Sequence, residues 1–156
     1  MNTLLEMPSE KVEGAPIQND AKPPPRILLV DDDICAREFN AGILIRFGYL
    51  VNTAEDGDAG WTALNADDYD LLITDNQMPK VSGIELLKKL RTARMVLPVI
   101  MATGVLPSEE FDRYPWIKPA AILVKPYTIG ELLRTVLEVL RAYEDGGVAI
   151  APPPSE

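Results

Sequence analysis

The chain has 156 residues, 47% hydrophobic and 25% charged, which fits one globular domain with a buried core and leaves little room for two. A formal net charge of -9, with no basic run, argues against a surface that meets nucleic-acid phosphates. With no histidine present, imidazole base or metal chemistry is excluded, and any reaction rests on carboxylates, hydroxyls and lysine.

Near the start, Glu6 and Pro8 interrupt any apolar run, so neither a signal sequence nor a membrane helix is expected there, and a cytoplasmic protein is. Eight of the fourteen prolines lie outside the central region, at Pro8, Pro16, Pro23 to Pro25 and Pro152 to Pro154. Residues 1–25 and 145–156 therefore read as flexible tails around a domain at 26–144. Cys35 stands alone, which suits a reducing compartment, and its ordinary role is that of a small apolar filler.

Within the domain, short apolar runs alternate with amphipathic stretches. Ile27-Leu28-Leu29-Val30 is the first strand, and a helix follows from about Ile34 to Phe47 with Asp33 as N-cap and Gly48 as its stop. Val51 to Ala54 is a more polar strand and is placed at a sheet edge. A helix from Asp56 through Leu64 precedes the strand Leu71-Leu72-Ile73, and Asp67-Asp68 between them reads as a solvated turn. Ser82 and Glu85 have capping-box spacing and open a helix carrying Leu86, Leu87 and Leu90. After the strand Val99-Ile100-Met101, the prolines at 107, 115 and 119 leave only Ser108 to Tyr114 for a short helix. Ile122-Leu123-Val124 is the fifth strand. The last helix, Ile129 to Tyr143, places Ile129, Leu132, Leu133, Val136, Leu137, Leu140 and Tyr143 at helical spacing, and Gly146-Gly147 ends it. Trp61 and Trp116 read as packing residues or partner contacts.

Five βα units with right-handed crossovers give an α/β fold: a doubly wound parallel sheet with helices on both faces. Ligands in such folds sit beyond the carboxyl ends of the strands. At those ends stand Asp31, Asp32 and Asp33, then Asp75, Thr103 and Lys125. Converging carboxylates repel one another unless a divalent cation neutralises them, and an all-oxygen donor set suits Mg2+. A lysine and a hydroxyl across the crevice point to a phosphoryl group, whose oxygens they and the metal would stabilise while a carboxylate attacks in line. Asp33 is better explained as a helix cap and is left out of the site.

Four segments in order carry a resemblance to a known family: Ile27 to Asp33; Asp70-Leu71-Leu72-Ile73-Thr74-Asp75-Asn76-Gln77-Met78-Pro79 with Gly83; Pro98-Val99-Ile100-Met101-Ala102-Thr103-Gly104; and Val124-Lys125-Pro126-Tyr127-Thr128. Across about Arg26 to Tyr143 the chain resembles the receiver domains of two-component signalling, of the stand-alone chemotaxis type. The resemblance implies a flavodoxin-like strand order 2-1-3-4-5, with Asp75 as the phosphorylated carboxylate. It implies Asp32 and Asp75 as direct Mg2+ ligands, Asp31 as a ligand through water, and the Gln77 backbone carbonyl as another. By the same likeness, Thr103 would hydrogen-bond the phosphoryl oxygen, Lys125 would pair with it, and the Lys125-Pro126 bond would be cis. The implied partners are a histidine kinase or histidine phosphotransfer protein and a downstream protein target. The fifth-strand and last-helix face of such domains docks a partner or a second copy, and Val139 is a candidate member of it. No nucleic acid or membrane partner is expected.

Two departures stand out. Many receivers carry an aromatic residue three positions before the lysine, where this chain has Ile122, so Tyr127 or Trp116 is a candidate substitute in transmitting the switch. Gly104 leaves the site open to a bulky phosphodonor, and Val105 cannot orient a water, which implies slow self-hydrolysis. The residues after Tyr143 are few and polar, so a response regulator acting through protein contacts, rather than an enzyme, is the leading reading. Its alternatives are a haloacid-dehalogenase-type phosphatase using the Asp-x-Asp of Asp31 and Asp33, or a docking module that is never phosphorylated.

Overall fold

The computed structural model describes residues 22–144; residues 1–21 and 145–156, with most of both expected tails and the Gly146-Gly147 stop, lie outside the described residues. The elements in order are β1 (Arg26–Val30), α1 (Ile34–Arg46), β2 (Leu50–Ala54), α2 (Gly57–Ala66), β3 (Leu71–Asp75), α3 (Gly83–Thr92), β4 (Val99–Thr103), α4 (Ser108–Arg113), a 3-10 turn (Pro115–Ile117), β5 (Ala121–Val124) and α5 (Ile129–Glu144). Five parallel strands lie in the order β2-β1-β3-β4-β5. This is the flavodoxin-like sheet, and the polar β2 is an edge strand as expected.

The strand side chains alternate between two cores. Ile27 and Leu29 join Ala41 and Leu44 of α1 and Leu132, Leu133 and Val136 of α5 on one face. Leu28 and Val30 join Leu64 of α2, Leu86, Leu87 and Leu90 of α3, and Phe111 of α4 on the other. Both faces are covered, which is why the central strands are continuously apolar.

Helix starts follow the expected chemistry. Asp33 caps α1 by accepting from the Cys35 and Ala36 amides, and Ser82 with Glu85 closes a capping box on α3. Gly48 leaves α1 at φ 99°, a conformation that costs glycine little. The proline-bracketed fourth helix is indeed short, six residues ending against the 3-10 turn.

Three expectations need correction. Cys35 is exposed rather than a core filler, because it sits in the open first turn of α1. Ile129 is 43% exposed, since it begins α5 at the rim above the core. Val139 is 7% exposed and packs in the α1–α5 core, so the buried stripe of α5 runs through Leu132, Val136 and Val139 and leaves no valine there for a docking face.

The loop after β3 is held from two sides. Lys80 adopts φ 70°, unusual for a residue with a side chain, and its ammonium lies 3.6 Å from Asp56. Asp56 is buried and caps α2 through the Ala59 amide at 2.8 Å, a bond that, with Lys80, holds its carboxyl below the ordinary 3.8. Because the folded state favours the ionised form, this contribution is complete above the ordinary value and is lost as pH falls through the lower folded one. The urea midpoint of Asp56→Asn, which keeps a cap but loses the charge, is expected to lie below wild type at pH 7, with the gap narrowing below pH 3.8. A gap independent of pH would contradict this. In the core, Leu87 is fully buried, and Leu87→Ala is expected to cost about 2–5 kcal/mol in urea denaturation. A cost under about 1 kcal/mol would show that α3 is not packed as described.

Candidate functional site

The parallel sheet ends all its strands on one rim, so the residues closing β1, β3, β4 and β5 meet there. Asp31 and Asp32 follow β1, Asp75 and Thr103 are the last residues of β3 and β4, and Lys125 follows β5. One carboxylate oxygen from each of Asp31, Asp32 and Asp75 lies within 4.8 Å of the others. Burial differs sharply: Asp31 is 5% exposed, Asp75 is half-buried and Asp32 is exposed.

Lys125 reaches across this group, its Nζ 3.4 Å from Asp75 Oδ2. The other carboxylate oxygen of Asp75 accepts the Asn76 amide at 2.8 Å. Asp31 Oδ1 accepts the Asp33 amide at 3.0 Å, while the Asp31 carbonyl accepts from the Arg37 guanidinium at 2.8 Å. Burial pushes the Asp31 carboxyl above its ordinary 3.8; the Asp33 amide and Lys125 oppose this, and the charges of Asp75 and Asp32 add to it. A buried carboxylate among like charges gains from any added cation. Three carboxylates offering only oxygen fit Mg2+ by donor type. Gln77 is exposed and, with Asp32, Met78 and Lys88, lines a cavity of about 630 Å³ beside the acids.

Thr103 is 1% exposed, and its hydroxyl is engaged within its own loop. It donates to the Val105 carbonyl at 2.9 Å and accepts the Val105 amide at 3.2 Å. The Lys125-Pro126 peptide is cis, as the resemblance implied. Tyr127 packs in the α1–α5 core, whereas Ile122 lies in the opposite core with Trp116, which meets Tyr114 edge to face at 6.1 Å. Of the two candidate substitutes for the missing aromatic, only Trp116 therefore shares a core with Ile122.

Two residues of the quoted motif that were given no role from sequence, Asn76 and Gly83, build the loop that carries Asp75. Asn76 accepts the Gly83 amide on its carbonyl and the Ile84 amide on its side chain, both at 2.9 Å, seating α3 directly behind Asp75. A Cβ on Gly83 would collide with the Asp75 carbonyl oxygen, so only glycine permits this approach. An asparagine directly after a strand-end aspartate was the available signal, since asparagine readily caps helices.

Known proteins resemble this chain in sequence and fold. The family model described as the response regulator receiver domain matches residues 27–137. The alkaline phosphatase synthesis transcriptional regulatory protein PhoP of Bacillus subtilis is 34% identical over 136 residues, covering 84% of this chain and 52% of PhoP. The CheY-like response regulator receiver domain protein of Methanospirillum hungatei is 30% identical, with a TM-score of 0.74 over 80% of this chain and 99% of that one. The response regulator TrrA of Thermotoga maritima, solved in complex with Mg(2+)-BeF, is also 30% identical, with a TM-score of 0.66 over 74% of this chain and 98% of that one. The chain spans about half the length of the first curated relatives it matches. The sheet order, the acid cluster at the strand ends and the match over residues 27–137 lead to one assignment: this chain belongs to the response regulator receiver domain family.

Proposed function

We propose that Asp75 accepts a phosphoryl group from the phosphohistidine of a histidine kinase or phosphotransfer protein, in a Mg2+-dependent reaction, and that the domain signals through protein contacts in the cytoplasm. The observation that carries this reading is the convergence of Asp31, Asp32 and Asp75 within 4.8 Å, with the Lys125 ammonium 3.4 Å from Asp75. Receiver domains are signalling domains rather than classical enzymes, so the chemistry is confined to gaining and losing this group. Asp31, Asp32, Asp75 and the Gln77 carbonyl would hold the cation, which when bound offsets negative charge on the phosphoryl oxygens.

The chain's own residues do the rest. An Asp75 carboxylate oxygen attacks phosphorus in line as the bond to the donor imidazole nitrogen breaks and the electron pair returns to that ring. Lys125 stabilises charge on the transferred group and then on the acyl phosphate. Thr103 must exchange its bond to the Val105 carbonyl for one to a phosphoryl oxygen, which offers a route from chemistry to the β4–α4 loop. Trp116, in the Ile122 core, is the aromatic positioned to register that loop's movement. The net charge of -9 supports protein rather than nucleic-acid partners for this chain.

The haloacid-dehalogenase-type alternative needs Asp33 free to act as an acid. Its carboxylate instead accepts the Cys35 and Ala36 amides as the α1 cap, which removes the support for that reading. Acetyl phosphate with Mg2+ is expected to add one phosphoryl group to the wild-type mass, with no addition to Asp75→Asn or after chelation of the metal. Phosphorylation that survives in Asp75→Asn would move the acceptor elsewhere, and none in wild type would leave a docking module. Val105 is 64% exposed beside the site. Val105→Glu is expected to speed loss of phosphate several-fold by orienting a water, in a time course after donor removal; an equal or slower loss would count against the idea.

A further inference from the structure

A buried polar pair joins the acid side of the site to the lysine side. Asn40 of α1 is 8% exposed, and its Nδ2 donates to the Tyr127 hydroxyl at 3.0 Å across 87 residues of chain. Tyr127 stands two residues after Lys125, and α1 begins immediately after the Asp31-Asp32-Asp33 loop. Resting on the phosphoacceptor reading above, we infer that Asn40 and Tyr127 are a positioning pair whose hydrogen bond holds Lys125 against the Asp75 carboxylate and so sets the rate of phosphoryl acceptance.

The backbone does little to hold this loop. Its last bond to the sheet is from the Lys125 amide to the Thr103 carbonyl at 2.9 Å, and β5 is an edge strand paired only with β4. The next fixed point is Thr128, tied to Glu131 through reciprocal bonds of 2.8 and 3.0 Å that start α5. Between them lie Pro126, which has no N–H and is exposed, and Tyr127. The Tyr127 side chain, packed in the α1–α5 core, is thus the loop's anchor.

Packing alone would accept several ring positions, whereas a hydrogen bond to a fixed helix accepts few. Asn40 occupies a core position beside Ala41 and Leu44, where an unpaired amide is costly, so the pair favours the one loop placement that satisfies it. Burial is the main cause raising the Tyr127 pKa, opposed by the Asn40 bond and then Lys125, with smaller contributions from Asp31 and Asp75.

Two readouts test the inference. The first is acylation of lysine amines without any phosphodonor, quantified by peptide mass. Tyr127→Phe, which keeps the ring, and Asn40→Leu are expected to raise Lys125 labelling about two- to tenfold while leaving Lys80 and Lys88 unchanged. The second is the rate of Asp75 phosphorylation by acetyl phosphate with Mg2+. Tyr127→Phe is expected to slow it by a similar factor, but to slow it no further in a Lys125→Ala background. Unchanged Lys125 labelling in Tyr127→Phe, or equal slowing with and without Lys125, would overturn the inference. Should wild type accept no phosphoryl group, the phosphoacceptor reading fails, and labelling alone decides whether the pair positions Lys125.

Discussion

Repulsion among Asp31, Asp32 and Asp75 is the constraint around which the molecule is arranged. Two like charges at the observed 4.8 Å limit cost about 3 kcal/mol at an effective dielectric of about 20, less where Asp32 meets solvent. Folding nevertheless brings the three together, because β1 and β3 are adjacent parallel strands that end on the same rim. Lys125 offsets part of the cost, and a cation would offset most of the rest. In the proposed reaction the same charge balance would favour a cation beside the three carboxylates and then an anionic group that cation and lysine hold together.

Such a site works only if its loops hold still. Asn76 and Gly83 bring α3 against the Asp75 backbone, and Asp56 with Lys80 ties the following turn to α2. Across the crevice, the Asn40 to Tyr127 bond does the same for the lysine loop. At the opposite rim, Arg91 is 3% exposed and donates to the Leu97 carbonyl at 3.3 Å, steadying the approach to β4. Thr103 differs: among the described residues its hydroxyl bonds only to Val105 of its own loop, which suits the movement proposed for it.

Most of the fold was legible because its signals are local. Apolar runs marked the strands, Asp33 and Ser82 marked helix starts, and the polar Val51 to Ala54 marked an edge. That Asp31, Asp32, Asp75, Thr103 and Lys125 meet at one rim was legible because they stand at or directly after strand ends. Long-range placement was not. Nothing near Cys35 says that the first turn of α1 faces solvent, and helical spacing alone cannot separate Ile129 at the rim from Val139 in the core. Nor could sequence pair Asn40 with Tyr127 or Lys80 with Asp56, since each pair depends on loops closing at distances set by the whole sheet.

A crystal structure of the chain grown with Mg2+ and beryllofluoride tests the phosphoryl site most directly. The expected structure has a cation held by Asp31, Asp32, Asp75 and the Gln77 carbonyl, with beryllofluoride on Asp75. Lys125 should contact the fluoride, and the Thr103 hydroxyl should have turned from Val105 toward it. A cation bound away from the three carboxylates, or beryllofluoride absent from Asp75 at saturating concentration, would contradict it.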